Sequence, residues 1–159
     1  MNSYLILANQ TLAGHALATK VQQLLAGGAC RFHIVVPATR QQEGLTWTEG
    51  AARAMARRRL ENAISSFADL GAVATGDVAD ESPILAVLDV LRLQRFDEVV
   101  LCTLPPGPSR WLRQDLPRRL RRRIRIPVTH VMDDRRGIDL RQPQLAPAEV
   151  AAAVDLAVS

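Results

Sequence analysis

A chain of 159 residues, 48% of them hydrophobic, is long enough for one domain with a sizeable core and too apolar to stay disordered. Its apolar runs fall short of the roughly 18 residues a membrane helix needs, and the opening MNSYLILANQT has neither a basic start nor a small-residue cleavage site, so neither a membrane anchor nor a signal peptide is expected. The net charge is only +4, yet eight arginines fall between Arg110 and Arg125 against one acid, Asp115.

Ser3 to Ala8 reads as a buried strand ended by Asn9, Gln10 and Thr11. Thr11 is placed to cap a helix whose Leu12, Ala16, Leu17, Val21, Leu24 and Leu25 recur at helical spacing, and Gly27 with Gly28 stops it. A second strand, Phe32 to Val36, ends at Pro37 and opens a polar loop over 38–48. Thr46 and Glu49 form a capping box for a long helix that runs to about Leu70, with Gly71 as its stop. Ala72 to Thr75 reads as a short strand, followed by the turn GDVADESP. Ser82 with Pro83 starts the next helix, which buries Ile84, Val87, Leu88 and Leu91.

The stretch from Arg95 to Met132 then supplies a strand (Glu98 to Leu104), a Pro/Gly turn, an arginine-rich helix and a last strand (Ile126 to Met132). Pro117 breaks that helix unless Asp115 caps a second piece with the proline in its first turn. Strand and helix alternate through five strands, which gives an α/β fold with a doubly wound parallel sheet and helices on both faces. Residues 1–133 form this domain; 134–159 form a charged loop and an alanine-rich helix that docks on the same domain or on a partner subunit.

The chemistry-bearing residues are few. Cys30 and Cys102 lie far apart in or beside apolar strands and read as buried reduced thiols, which suits a cytoplasm. No CxxC or HxxxH spacing is present, so no metal site is expected. His33 and His130 are strand histidines of the kind that usually sit satisfied in a core, and His15 lies on the first helix. In PPGPSR, Gly107, the Ser109 hydroxyl and Arg110 can hold a phosphate or carboxylate; the plainer reading is a rigid turn. Trp111 reads as core rather than as a base-stacking ring. Arg118 to Arg125 covers several faces of its helix and reads as a solvated basic surface or a contact for nucleic acid or an acidic protein. Ser109 lacks a GxSxG elbow, which argues against a hydrolase.

The early first strand, the long helix after strand 2, the Gly76-Asp77-Val78 segment before Ser82-Pro83-Ile84, and the late strand of form IPVTHV together resemble the universal stress protein family over residues 3 to 132. The resemblance implies strand order 3-2-1-4-5 and a ligand crevice between strands 1 and 4. Its expected lining is Asn9, Thr11, Val36, Gly76, Asp77, Thr103, Gly107, Ser109 and Arg110. It further implies a cytoplasmic, non-enzymatic homodimer that binds a small anionic or nucleotide ligand, with ATP or another nucleotide as the only cofactor suggested. The chain departs from the glycine signature of the ATP-binding branch: counting from Gly107, the next two glycine positions are Arg110 and Leu120, and the Ser/Thr position is Arg121. Asn9 stands where that branch tends to have aspartate. Two other readings stay open: a nucleotide-binding enzyme of weak ATPase or nucleotidyl-transfer type, and a basic adaptor acting through Arg118 to Arg125.

Overall fold

The computed structural model describes residues 1–38, 49–80, 82–106 and 109–133. Five strands, β1 (Asn2–Leu7), β2 (Cys30–Pro37), β3 (Val73–Ala79), β4 (Glu98–Thr103) and β5 (Val128–Met132), form one sheet in the order β3-β2-β1-β4-β5. All four neighbour pairs are parallel. The helices are α1 (His15–Ala26), α2 (Glu49–Asp69), α3 (Pro83–Leu93), α4 (Arg110–Arg113) and α5 (Leu116–Arg123).

A core fills each side of the sheet. On one, α1 and α2 bury Leu17, Val21, Ala56, Leu60 and Phe67 against Tyr4, Ile6, Phe32 and Ile34. Tyr4 stacks on Phe32, and Phe32 meets Phe67 edge to face. On the other, α3 and α5 bury Ile84, Val87, Val90, Leu116 and Leu120 against Leu5, Leu7, Val35, Val99 and Leu101. The central strands β1 and β4 are covered on both faces, which is why they show no polar alternation.

Helix ends follow the chemistry of their residues. Ser82 accepts a hydrogen bond from the Leu85 N–H, with Pro83 at the first helical position. Gly71, at φ 83°, closes α2: the Ala72 N–H reaches Phe67 O and the Gly71 N–H reaches Ala68 O. Asp115 takes the left-handed conformation (φ 53°, ψ 42°), which an Asp tolerates better than most residues, and divides α4 from α5 with Pro117 in the first turn. It caps α5 through its backbone, the Arg119 N–H donating to Asp115 O, and not through its carboxylate.

Three expectations need correction. Thr11 does not cap α1, which starts four residues later with Gly14 as its N-cap; residues 9 to 14 turn first, with Leu12 N–H to Asn9 O and Gly14 N–H to Thr11 O. The third strand is longer than the apolar run predicts. Gly76 and Asp77 are not in a turn but inside β3, opposite Ile34 and Val35. An edge strand needs only backbone partners to continue, so polar and glycine residues do not end it. The second strand likewise begins earlier, at Cys30. The capping box at Thr46 and the helix expected within 134–159 lie outside the described residues.

Candidate functional site

The crossover direction reverses between β1 and β4, the place where the loops leaving the carboxyl ends of an open α/β sheet part to form a ligand crevice. Its floor is polar and buried. Asn9, Thr11 and Thr103 are 6%, 2% and 1% exposed. The Asn9 amide donates through Nδ2 to Pro37 O at 2.7 Å and accepts through Oδ1 from Arg59 Nη1 at 2.5 Å. The Thr11 hydroxyl donates to Cys102 O at 3.0 Å and so ties the loop after β1 to β4. Thr103 Oγ1 lies 2.7 Å from His130 Nε2, and the Asp133 N–H donates to Thr103 O, which ties β4 to β5. Each polar group on this floor is held by another strand or loop, so the floor is fixed before any ligand arrives.

The carboxylate of Asp133, a residue 2% exposed, lies over the start of α1 and accepts from the Ala16 N–H. Gly14 has no side-chain cap of its own, and a Cβ there would collide with that carboxylate. Asp133, just past β5, therefore supplies the negative charge that a helix N-terminus favours.

Of the nine expected lining residues, Asn9, Thr11 and Thr103 come together. Ser109 is 3% exposed; its Oγ accepts from the Leu112 N–H and caps α4, while its own N–H is taken by Pro105 O. That N–H is not free for an anion. Val36 is fully buried in the core, paired with Val78 of β3. Gly76 packs beneath α2, where a Cβ would lie 2.5 Å from both Ile34 O and Leu60 Cδ1. Asp77 sits on the exposed side of β3, with Oδ2 3.1 Å from His33 Nε2. His33 Nε2 is out of line for a hydrogen bond to it, and the ring is oriented through Nδ1, 2.9 Å from Thr75 Oγ1. Gly107 and the Arg110 side chain lie outside the described residues. Trp111 packs against the α3/α5 core.

Sequence reasoning missed Arg59, His130 and Asp133 as parts of this site. Arg59 sits in an arginine run on a helix 50 residues from Asn9, and only the crossing of α2 over the sheet brings them together. Burial first, and then the positive charge of Arg121, lower the His130 pKa from its usual 6.5. Burial raises the pKa of Cys30, and both cysteines are free thiols. Among the described residues no group of His, Cys, Asp and Glu is placed to hold a metal, and no helix is long and apolar enough to cross a membrane.

This is a doubly wound, Rossmann-like domain whose site, if it follows the rule for open α/β sheets, lies at the β1/β4 reversal. Its structural likenesses are to universal stress proteins. A family member from Burkholderia pseudomallei matches at TM-score 0.59 with 19% identity, covering 81% of this chain and 94% of that one. A universal stress protein from Archaeoglobus fulgidus matches at TM-score 0.56 with 13% identity, over 82% and 93%. A family protein from Arabidopsis thaliana, solved with AMP bound, matches at TM-score 0.62 with 8% identity, over 89% and 97%. The fold is thus that of the universal stress proteins. No family model matches the sequence, and no curated protein matches it.

Proposed function

We propose that this protein is a cytoplasmic, non-enzymatic homodimer of universal-stress-protein type that binds a small anionic ligand of the nucleotide class in the β1/β4 crevice. The observation that carries the reading is the guanidinium of Arg59 held on Asn9, at the rim of a buried and prearranged polar floor. A cation fixed beside a buried polar floor suits a ligand with an anionic end. The AMP-bound neighbour of the same fold is compatible with a mononucleotide. The phosphate cradle of the ATP-binding branch has no counterpart here, because Leu120, at its third glycine position, is a fully buried core residue. A monophosphate is therefore favoured over ATP.

Thr103 and His130 form the hydroxyl–imidazole pair nearest to a catalytic arrangement. Thr103 is 1% exposed and cannot reach a substrate, which supports binding without turnover. The test is calorimetric titration with AMP and ATP, beside chromatography of the nucleotide after incubation. We expect AMP to bind, ATP to bind no better, Arg59→Gln to weaken AMP by about tenfold, which corresponds to about 1.4 kcal/mol, and both nucleotides to be recovered intact. Absence of AMP binding at millimolar concentration would sink the ligand reading, and recovery of hydrolysed product would replace it with an enzyme.

A further inference from the structure

The first turn of α3 and the outer face of α5 enclose a groove of about 330 Å³ lined by Ser82, Ile84, Leu85, Arg119, Arg122 and Arg123. It shares no residue with the β1/β4 crevice. The helix explains why three guanidinia meet there. Leu116, Pro117 and Leu120 face the core, so residues 119, 122 and 123, spaced i, i+3 and i+4, fall together on an outer face. Arg121 is turned elsewhere, donating to Val128 O. Among the described residues none of the three groove arginines has a salt bridge.

Three clustered like charges with no acid between them repel one another and are kept only at a cost to the fold. A concave surface makes that arrangement a site and not merely a basic helix, because a small anion seated in it meets all three at once. The volume lies at the lower end of the range for small-molecule pockets, too small for a folded partner. An extended nucleic acid would want a stripe with exposed aromatic rings, and the lining has none. Ser82 spends an oxygen lone pair on Leu85 N–H and keeps its O–H proton to donate. Ile84 and Leu85 form an apolar wall beside the cations.

We infer that this groove is a second anion site, built to take the pyrophosphate group of a small molecule on Arg119, Arg122 and Arg123. Two linked phosphates present enough oxygens for three guanidinia, each able to make paired bonds to one phosphate. The inference does not depend on the crevice binding anything.

The test is calorimetric titration of the full chain with sodium pyrophosphate, inorganic phosphate and ADP. Pyrophosphate is expected to bind at least tenfold more tightly than phosphate and to weaken steeply as salt is raised from 50 to about 200 mM. The Arg119→Gln/Arg122→Gln/Arg123→Gln variant is expected to lose at least tenfold in affinity while melting no lower than the parent. Arg58→Gln, an exposed arginine of α2 outside both sites, is expected to leave the pyrophosphate titration unchanged. ADP binding that is lost in the triple variant supports the site, and ADP binding that survives it belongs to the crevice. Pyrophosphate affinity that survives the triple variant would overturn the proposal. So would a protein that ignores pyrophosphate but binds a single-stranded RNA oligomer through the same arginines.

Discussion

Gly76 separates two accounts of why a glycine stands inside a strand. On intrinsic grounds Gly76→Ala should help, because glycine in a strand interior is worth roughly 0.5–1 kcal/mol less than alanine. Packing says the reverse. An alanine Cβ would sit 2.5 Å from Ile34 O and 2.5 Å from Leu60 Cδ1, about 0.5 Å inside the 3.0 Å that real Cβ atoms respect, and 3.2 Å from Ile34 Cβ. The Leu60 methyl can swing aside. The Ile34 carbonyl cannot, because Ile34 is held in β2 between β1 and β3. Relief therefore means moving β3 away from β2 or lifting α2 off the sheet. Overpacking of this kind costs about 1–3 kcal/mol, so the net loss should be about 1–2 kcal/mol after the propensity gain. In a domain of this size the Tm should fall by roughly 2–8 °C, at about 2–4 °C per kcal/mol. The urea midpoint should fall with an unchanged slope. Introducing the same change into a Leu60→Ala background should recover part of the loss but not all, since the carbonyl contact remains. An alanine variant as stable as the parent, or more so, would refute the packing account and leave Gly76 without a structural reason.

Two further outcomes follow from the N-terminus of α1 and from the last strand. Gly14→Ala should destabilise by about 1–3 kcal/mol in urea unfolding, because its Cβ meets the Asp133 carboxylate; combining it with Asp133→Ala should remove the clash and leave only the lost cap, about 0.5–2 kcal/mol, so additive losses would be evidence against the contact. His130 titrates below its unfolded value of 6.5, so the unfolded chain takes up a proton first as pH falls. Its penalty is therefore absent above pH 6.5, grows as pH drops from there towards the folded pKa, and is complete below it. NMR titration should place the ring below 6.5, and Arg121→Gln should raise it part of the way back, since burial remains; a His130 that titrates at or above 6.5 would contradict both causes.

How legible the chain was depended on what each residue answers to. Buried strands answer to water exclusion, and their apolar runs in SYLILA, FHIVV and EVVLCT mark β1, β2 and β4 without ambiguity. Helix ends answer to local hydrogen bonding, so Ser82-Pro83 and Gly71 marked theirs. An edge strand answers to its neighbour's backbone, and β3 ran on through Gly76 and Asp77 where local signals suggested a turn. The resemblance supplied the strand order, and the sheet has it. The crevice was only partly legible. Asn9 and Thr11 lie two and four residues past β1 and Thr103 ends β4, so all three can be placed by chain position alone. Arg59 and Asp133 reach the site from distant segments, through helix crossing and sheet order that no local pattern encodes. Thr11 looked like a cap because its residue type fits one; its hydroxyl went instead to Cys102 O in the neighbouring strand.

The same reasoning explains how this sequence differs from an ATP-binding member of its fold. A glycine cradle binds phosphate with backbone N–H groups, which are fixed and carry only partial charge. Here the third glycine position is spent on packing. Leu120 fills the core at 0% exposure, and a helix turn around it cannot also open its backbone to a ligand. Burying Leu120 then forces its neighbours outward, and because they are arginines the positive charge returns as full charges on flexible side chains. Recognition by such groups tolerates variety in the ligand but weakens quickly in salt, whereas backbone cradles are selective and less sensitive. Anion binding on this face is therefore expected to discriminate by charge number more than by shape, which is why pyrophosphate against phosphate, and not one nucleotide against another, is the informative comparison.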